Sequence, residues 1–313
     1  MPYSTDRTRE IRRNAGGGDL LPIPLDLREN AEDQSRFDSY VWSVEKLIAN
    51  YDKVIVLDAR TKQEYDIEHL AGAVQAHWTE WSNVAIPQDN GTWAVVYDND
   101  KLAEIFAKLG IDGSKPVVVY NDPLVGWGEE GRQLWSLRVA GILDSYILNG
   151  GLSGWKAKGN PVTTDSIKAK PVTISLLKRD ESIFANTNYL VENYEHISFL
   201  DVREDDEFAA IKNYGEKVLG RIPGARQIWF KDFYHNNGTI MTPAEIRARI
   251  KQTGINTQQE IITYCTGGIR SGFATIALKI AGYQNVRNYN ASFSGWAGTG
   301  QKIDNEIYER LPG

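Results

Sequence analysis

Short apolar runs alternate with longer stretches of helical spacing along most of the chain. Val54-Ile-Val-Leu, Val117-Val-Val-Tyr, Ile197-Ser-Phe-Leu and Ile261-Ile-Thr-Tyr are β-branched or aromatic, of strand length, and bounded by polar or turn residues. Between them, residues 100–109 and 243–252 carry apolar positions at helical spacing. Strands without a polar face, alternating with helices, predict βα units and an α/β fold in which each parallel sheet is covered by helices on both faces.

The pattern occurs twice. Val54-Ile-Val-Leu-Asp58-Ala-Arg60 is answered by Ile197-Ser-Phe-Leu-Asp201-Val-Arg203, and Leu70-Ala-Gly72-Ala73 by Ile222-Pro-Gly224-Ala225. Pro116-Val-Val-Val-Tyr120 is answered by Ile261-Ile-Thr-Tyr264, Leu137-Arg-Val-Ala-Gly141 by Leu278-Lys-Ile-Ala-Gly282, and the Gly154-Trp155 pair by Gly295-Trp296. Five landmarks in one order make an internal duplication. The expected division is an N-terminal arm at 1–36, a first domain at 37–160, a linker at 161–182 and a second domain at 183–313. The arm, with Gly16-Gly-Gly18 and scattered charge, reads as a loose arm or a strap over the surface, and the linker as one that can add an edge strand.

A chain of 313 residues with 42% apolar composition suffices for two cores. A net charge of −6 and a pI near 5.4 leave no basic footprint for nucleic acid or an anionic membrane. No apolar run approaches the ~20 residues that span a bilayer, and the polar start predicts the cytoplasm, or the periplasm if a signal peptide has been removed. The four histidines, His69, His77, His196 and His235, lack ligand spacing, so neither a metal nor another cofactor is expected.

Chemistry concentrates at the single cysteine. Cys265 ends the apolar run 261–264 and is followed by Thr266, Gly267, Gly268, Ile269, Arg270 and Ser271, then by a helical pattern over 273–281. Most unpaired cysteines act as small buried hydrophobes. A structural thiol, however, needs no glycine pair, arginine and helix start behind it. In that setting converging backbone N–H groups and the positive helix end stabilise a thiolate, the nucleophilic form. The first copy has Asn121 where the second has Cys265, so only the second copy carries a nucleophile. The loop after Asn121 holds Trp127 and two acids, Glu129 and Glu130, which repel an anion and suit a role in shaping the cleft. Asp201 and Arg203 are expected to support the Cys265 loop by hydrogen bonds, with Asp58 and Arg60 as their counterparts, and Trp127 and Phe230 to wall an apolar cleft.

These motifs resemble the rhodanese family, specifically tandem-domain sulfurtransferases with an inactive first copy and a catalytic second copy. The resemblance covers roughly residues 38–302 and rests on Asp201-Val-Arg203-Glu, Gly220-Arg-Ile-Pro-Gly-Ala225, Cys265-Thr-Gly-Gly-Ile-Arg270-Ser and Gly295-Trp296. It implies that Cys265 takes the outer sulfur of a small anionic donor as a persulfide and passes it to a thiol or cyanide; a sulfur-relay protein is a further implied partner. Two family elements are absent. Asp206-Glu207-Phe208 stands where many members have a Gly-Arg-aromatic element, and Gly267 where thiosulfate-preferring members often have a basic residue. Arg270 is therefore expected to hold the donor's anion, with thiosulfate preferred over 3-mercaptopyruvate. Cysteine phosphatases and arsenate reductases place five residues between cysteine and arginine. This chain has four, Thr266, Gly267, Gly268 and Ile269, too few for a loop around a tetrahedral phosphate. A protein-to-protein sulfur carrier and a non-catalytic binding module are the other readings.

Overall fold

A computed structural model describes residues 20–24, 27–174 and 178–306. The first sheet contains β1 (Val41–Trp42), β2 (Ile55–Asp58), β3 (Val74–Gln75), β4 (Val117–Tyr120) and β5 (Ser145–Leu148), in the order β1-β5-β4-β2-β3. The second contains β6 (Phe184–Ala185), β7 (Ile197–Asp201), β8 (Arg226–Gln227), β9 (Glu260–Tyr264) and β10 (Val286–Tyr289), in the equivalent order β6-β10-β9-β7-β8. All strand pairs are parallel. The apolar runs form the central strands, with β4 buried throughout and β9 buried from Ile261 onward.

Register and side-chain bonding repeat between the copies. Asp58 pairs with Tyr120 as Asp201 pairs with Tyr264. Arg60 Nη2 and Arg203 Nη2 each lie 2.6 Å from the Oδ2 of their own aspartate. The indole N–H groups of Trp155 and Trp296 each donate to a carbonyl six residues on, both at 2.8 Å.

The two copies share an apolar core. Leu57, Val119 and Trp135 of the first belong to the same buried cluster as Leu200, Ile261 and Phe273 of the second. At its centre the helix Glu129–Val139 packs on the helix Ile269–Ile280. The contact is reciprocal: a Cβ at Gly131 would lie 2.5 Å from Phe273 Cα, and one at Gly272 would lie 3.0 Å from Arg132 Cα. Positions 131 and 132 stand to 272 and 273 at one constant offset, so the copies face each other about a pseudo-twofold axis that brings both helix N-termini to one cleft. Gly131→Ala is expected to force these helices apart and cost about 1–3 kcal/mol. Thermal unfolding checks this, and an unchanged melting temperature would contradict the close approach.

Of the two forms expected of the arm, residues 31–36 take the strap, and two other expectations are corrected. Asn30 caps the helix Ala31–Asp38, and Asp33 takes a two-bond ion pair from Arg247 at 2.8 and 2.9 Å that docks it on the second copy. That pair holds the Asp33 carboxyl down to about 2. The rest of the arm at 1–19, 25 and 26, linker residues 175–177 and the end at 307–313 lie outside the described residues. Among described residues the linker forms no strand; it is tied down by an antiparallel bridge from Thr163 to His69 and by single hydrogen bonds such as Val172 N to Ala107 O, Asp180 N to Val139 O and Arg179 Nη1 to Tyr97 O. The second-copy helix begins at Ile269, four residues before the apolar spacing announces it, because Gly268 takes a left-handed φ of +86° and opens the turn. Among the described residues, no helix is long and apolar enough to cross a membrane.

Candidate active site

Cys265 follows directly on β9, and the Ile269–Ile280 helix begins four residues later, so the loop folds back over the sulfur. Cys265 is 1% exposed. Gly268 N–H donates to Sγ at 3.1 Å, and the hydroxyls of Ser271 and Ser292 lie 3.6 and 3.9 Å from it. Burial opposes ionisation. The charge of Arg270 and hydrogen bonds from Ser271 and Gly267 outweigh it, so the thiol's pKa falls below its ordinary value. These surroundings shift the thiol toward its thiolate form.

The loop's shape is fixed from several sides. Gly268 cannot carry a side chain: a Cβ there would lie 2.4 Å from Asn290 O, and its carbonyl accepts from Arg132 Nη1 at 3.1 Å and Asn288 Nδ2 at 3.2 Å. Arg132, from the first copy, also binds Ser82 Oγ and Ala94 O, at 3.0 and 2.8 Å. Burial lowers its pKa to about 9, and the charge of Cys265 offsets only part of that cost. Ser292 adopts a positive φ of 53°, of order 1–3 kcal/mol of strain, and in that conformation its hydroxyl accepts from Cys265 N at 3.1 Å.

Arg270 is not the free cation that the sequence suggests. Its Nη1 and Nη2 bind Glu207 Oε2 and Oε1 at 2.6 and 2.8 Å, and Nη2 also meets Thr266 Oγ1 at 2.8 Å. The Thr266 hydroxyl lies 2.7 Å from Glu216 Oε1 and 3.0 Å from Glu207 Oε1. Burial works against ionisation of Glu207, but Arg270 and then Arg203 hold its pKa below the ordinary value. The guanidinium that was to receive an anion is therefore already chelated. Asp201 and Arg203 bond to each other, not to the loop. Arg203 reaches Gly220 O at 2.8 Å and Glu216 Oε1 at 3.8 Å, so its support is relayed through Glu216 and Thr266.

Above the sulfur lies a cavity of about 240 Å³ to which Cys265, Thr266, Gly267, Ile269 and Arg270 contribute the floor. Its walls are Trp78, Trp93, Trp127 and Glu129 from the first copy and Tyr214 from the second. Trp127, 41% exposed, meets Tyr214 edge-on at 5.4 Å, and Trp78 meets Trp93 likewise at 6.4 Å. Gly267 leaves room for Trp93, whose ring would lie 2.6 Å from a Cβ at that position. Phe230 is a correction: it is 1% exposed, does not line the cavity, and packs edge-on to Phe273 at 6.4 Å. Its position just after β8 directs it into the shared core.

Sequence reasoning missed Glu207 and Glu216 as loop partners, Arg132 as the first-copy anchor, and Trp78, Trp93 and Tyr214 as walls. The Glu at 207 had a signal, since it stands where a cation was expected. The half-buried Trp78 and Trp93 had none that separates them from core tryptophans.

The rhodanese-like domain model matches residues 43–158 and 187–299. A sulfur carrier protein, TtuD, of Thermus thermophilus is 28% identical over 74% of this chain and 83% of its own. A thiosulfate sulfurtransferase of Azotobacter vinelandii is 29% identical over 78% of this chain and 88% of its own. The crystal structure of the 3-mercaptopyruvate sulfotransferase SseA from Escherichia coli, 20% identical, superimposes with a TM-score of 0.68 over 80% of this chain and 97% of that one, a likeness of fold. Two family matches, two sheets of equivalent order and one cysteine loop lead to one conclusion: the chain belongs to the rhodanese-like family as a tandem pair of its domains, and is a sulfurtransferase.

Proposed function

We propose that Cys265 carries sulfane sulfur as a persulfide. The thiolate attacks the outer sulfur of the donor, forming Cys265–S–S⁻ and expelling the rest of the donor with the electron pair of the broken bond; with thiosulfate the leaving group is sulfite. A thiolate or cyanide then attacks the terminal sulfur and restores the thiolate. This is ping-pong covalent catalysis. The observation that carries the reading is the Gly268 N–H donating to Sγ at 3.1 Å from the N-terminal turn of a helix, a fixed dipole aimed where negative charge resides. The role of the loop from Thr266 to Ser271 is to cradle that charge. Asp201 and Arg203 act at one remove, as positioning residues.

Thiosulfate is the donor we place first, ahead of 3-mercaptopyruvate. The ground is the relatives named thiosulfate sulfurtransferases at 28–29% identity, because Arg270, occupied by Glu207, no longer supplies one. The relative named a sulfur carrier supports a second reading, delivery to or from a protein. The test is intact mass of the unreduced protein before and after thiosulfate, with cyanide added last. A gain of ~32 Da on Cys265 that cyanide removes as thiocyanate is expected. A gain only with 3-mercaptopyruvate or a desulfurase would change the donor, and no gain with any of them would overturn the persulfide.

A further inference from the structure

A thiol that accepts sulfur must lose its proton before it attacks, because the thiolate is the nucleophile and an ordinary thiol is only a few per cent ionised at pH 7. The cavity above Cys265 does not favour a thiolate arriving ready-made from solvent. Arg270 is the only Lys, Arg or His among the described lining residues and is chelated by Glu207, while Glu129 adds negative charge to the wall. A neutral thiol enters more easily, and then needs a base inside.

Of the lining groups, few can serve. Thr266 Oγ1 is taken up by Arg270, Glu207 and Glu216, and the Tyr214 hydroxyl by Glu204 Oε2 at 2.9 Å and by Lys212 Nζ. Glu129 is the only carboxylate among the described lining residues. The first copy fixes its place: Gly128, at a φ of +82°, opens the helix that starts at Glu129, and Oε2 accepts from Asn121 Nδ2 at 2.5 Å and from Trp127 N at 2.7 Å. At the offset that relates Gly131 to Gly272, Glu129 is the first copy's equivalent of Arg270. The pseudo-twofold axis therefore brings an acid of the copy without a nucleophile to the sulfur of the other.

We propose that Glu129 is the proton-transfer residue for thiol acceptors, taking the acceptor's proton and returning it to the departing persulfide. The proposal rests on the persulfide reading of Cys265. The Glu129 carboxylate takes the proton of R–SH, whose S–H pair stays on sulfur. That sulfur attacks the terminal sulfur of Cys265–S–S⁻, and the bond to Sγ breaks with its pair on Sγ, restoring the thiolate. The outgoing R–S–S⁻ takes the proton back from Glu129 and leaves as R–S–SH.

An ordinary carboxylate is a weak base toward a thiol. Burial, then the charge of Glu130, raises Glu129 to about 7, closer to the acceptor it must deprotonate. The groups that face it are Glu130, which also feels the charge of Asp122; Lys231 and Tyr234 from the second copy; and Cys265, Arg270 and Tyr214 around the cavity. Glu129 is the active base only when ionised, so transfer to a weakly acidic thiol should rise with pH and level off above about 7.

The experiment loads the full chain with thiosulfate, removes the excess, and follows loss of the sulfur from Cys265 by quenched intact mass at pH 8. The acceptors are 2-mercaptoethanol, still a thiol at that pH, and sulfite, which then has no proton to give up. Glu129→Gln is expected to slow discharge to 2-mercaptoethanol about a hundredfold. Discharge to sulfite should be as fast or faster, since a carboxylate facing an anion is gone. Equal slowing with both acceptors would make Glu129 a structural residue, and slowing with neither would leave it no role; either overturns the proposal. The wild-type pH profile needs no variant: a rate to 2-mercaptoethanol that climbs about tenfold per pH unit from 6 to 8 without levelling would show that only preformed thiolate reacts, and overturn it too. Failure of the wild type to take up sulfur would remove the persulfide reading, and the proton transfer with it.

Discussion

Replacing Cys265 by serine is expected to abolish sulfur transfer, with turnover falling on the order of a thousandfold or more, while the fold survives. The hydrogen-bond donors around Sγ, Gly268 N–H and the Ser271 and Ser292 hydroxyls, can equally serve a hydroxyl, so the substitution leaves the surroundings satisfied. What it removes is chemical: a serine hydroxyl at this site does not ionise near neutrality and cannot accept sulfur as a persulfide. The measurement pairs intact mass after thiosulfate with thermal unfolding. A variant that melts normally and still makes thiocyanate would remove Cys265 from the mechanism. In the wild type, the lowered thiol pKa places the rise of rate with pH below the range of a free cysteine, about 8.5.

The second large effect is one of stability. Arg270→Ala leaves the Glu207 carboxylate buried without its two charge-assisted bonds, and breaking such a pair costs about 3–5 kcal/mol. Glu207→Ala strands the guanidinium in the same way. The double variant should cost less than the sum of the two, since neither charge is then left alone. Because Glu207 has a depressed pKa in the folded state, its contribution is complete above the ordinary value of 4.5 and is lost as pH falls through the lower folded value. Arg270→Ala should also raise the Cys265 pKa, because Arg270 is the largest charge holding it down. Chemical denaturation and the pH profile of sulfur uptake check both. If Arg270 were instead a free clamp, its removal would weaken the donor about tenfold to a hundredfold and leave the unfolding midpoint unchanged.

The architecture was legible because duplication supplied an internal control. Each strand end with Asp-x-Arg, each Ala-Gly pair and each Gly-Trp pair had a partner, and the structure places the pairs in equivalent register. The cysteine loop was legible because glycine, cysteine and a helix start have strong local meanings. The charge balance around that loop was not. Glu207 and Glu216 come from a segment between β7 and β8 whose path no periodicity fixes, so the pairing of Arg270 could not be read from spacing alone. Nor could the walls. Trp78 opens a single 3-10 turn and Trp93 lies in a first-copy turn, and the packing of Gly131 against Phe273, with Arg132 on the Gly268 carbonyl, brings that copy over the sulfur. Phe230 failed for the opposite reason: an aromatic residue after an edge strand looks the same from sequence whether it faces a cleft or a core.

The reciprocal helix contact also separates two kinds of heritable change. The half of the chain without a nucleophile supplies Trp78, Trp93, Trp127 and Glu129 to the cavity, whereas the other half supplies Cys265 and its cradle. Mutations in the first half can alter which molecules are admitted without touching the reacting sulfur. A library confined to the three tryptophans therefore samples new substrates on an unchanged catalyst, whereas exchanging the whole first domain would also replace Arg132, which anchors the Gly268 carbonyl.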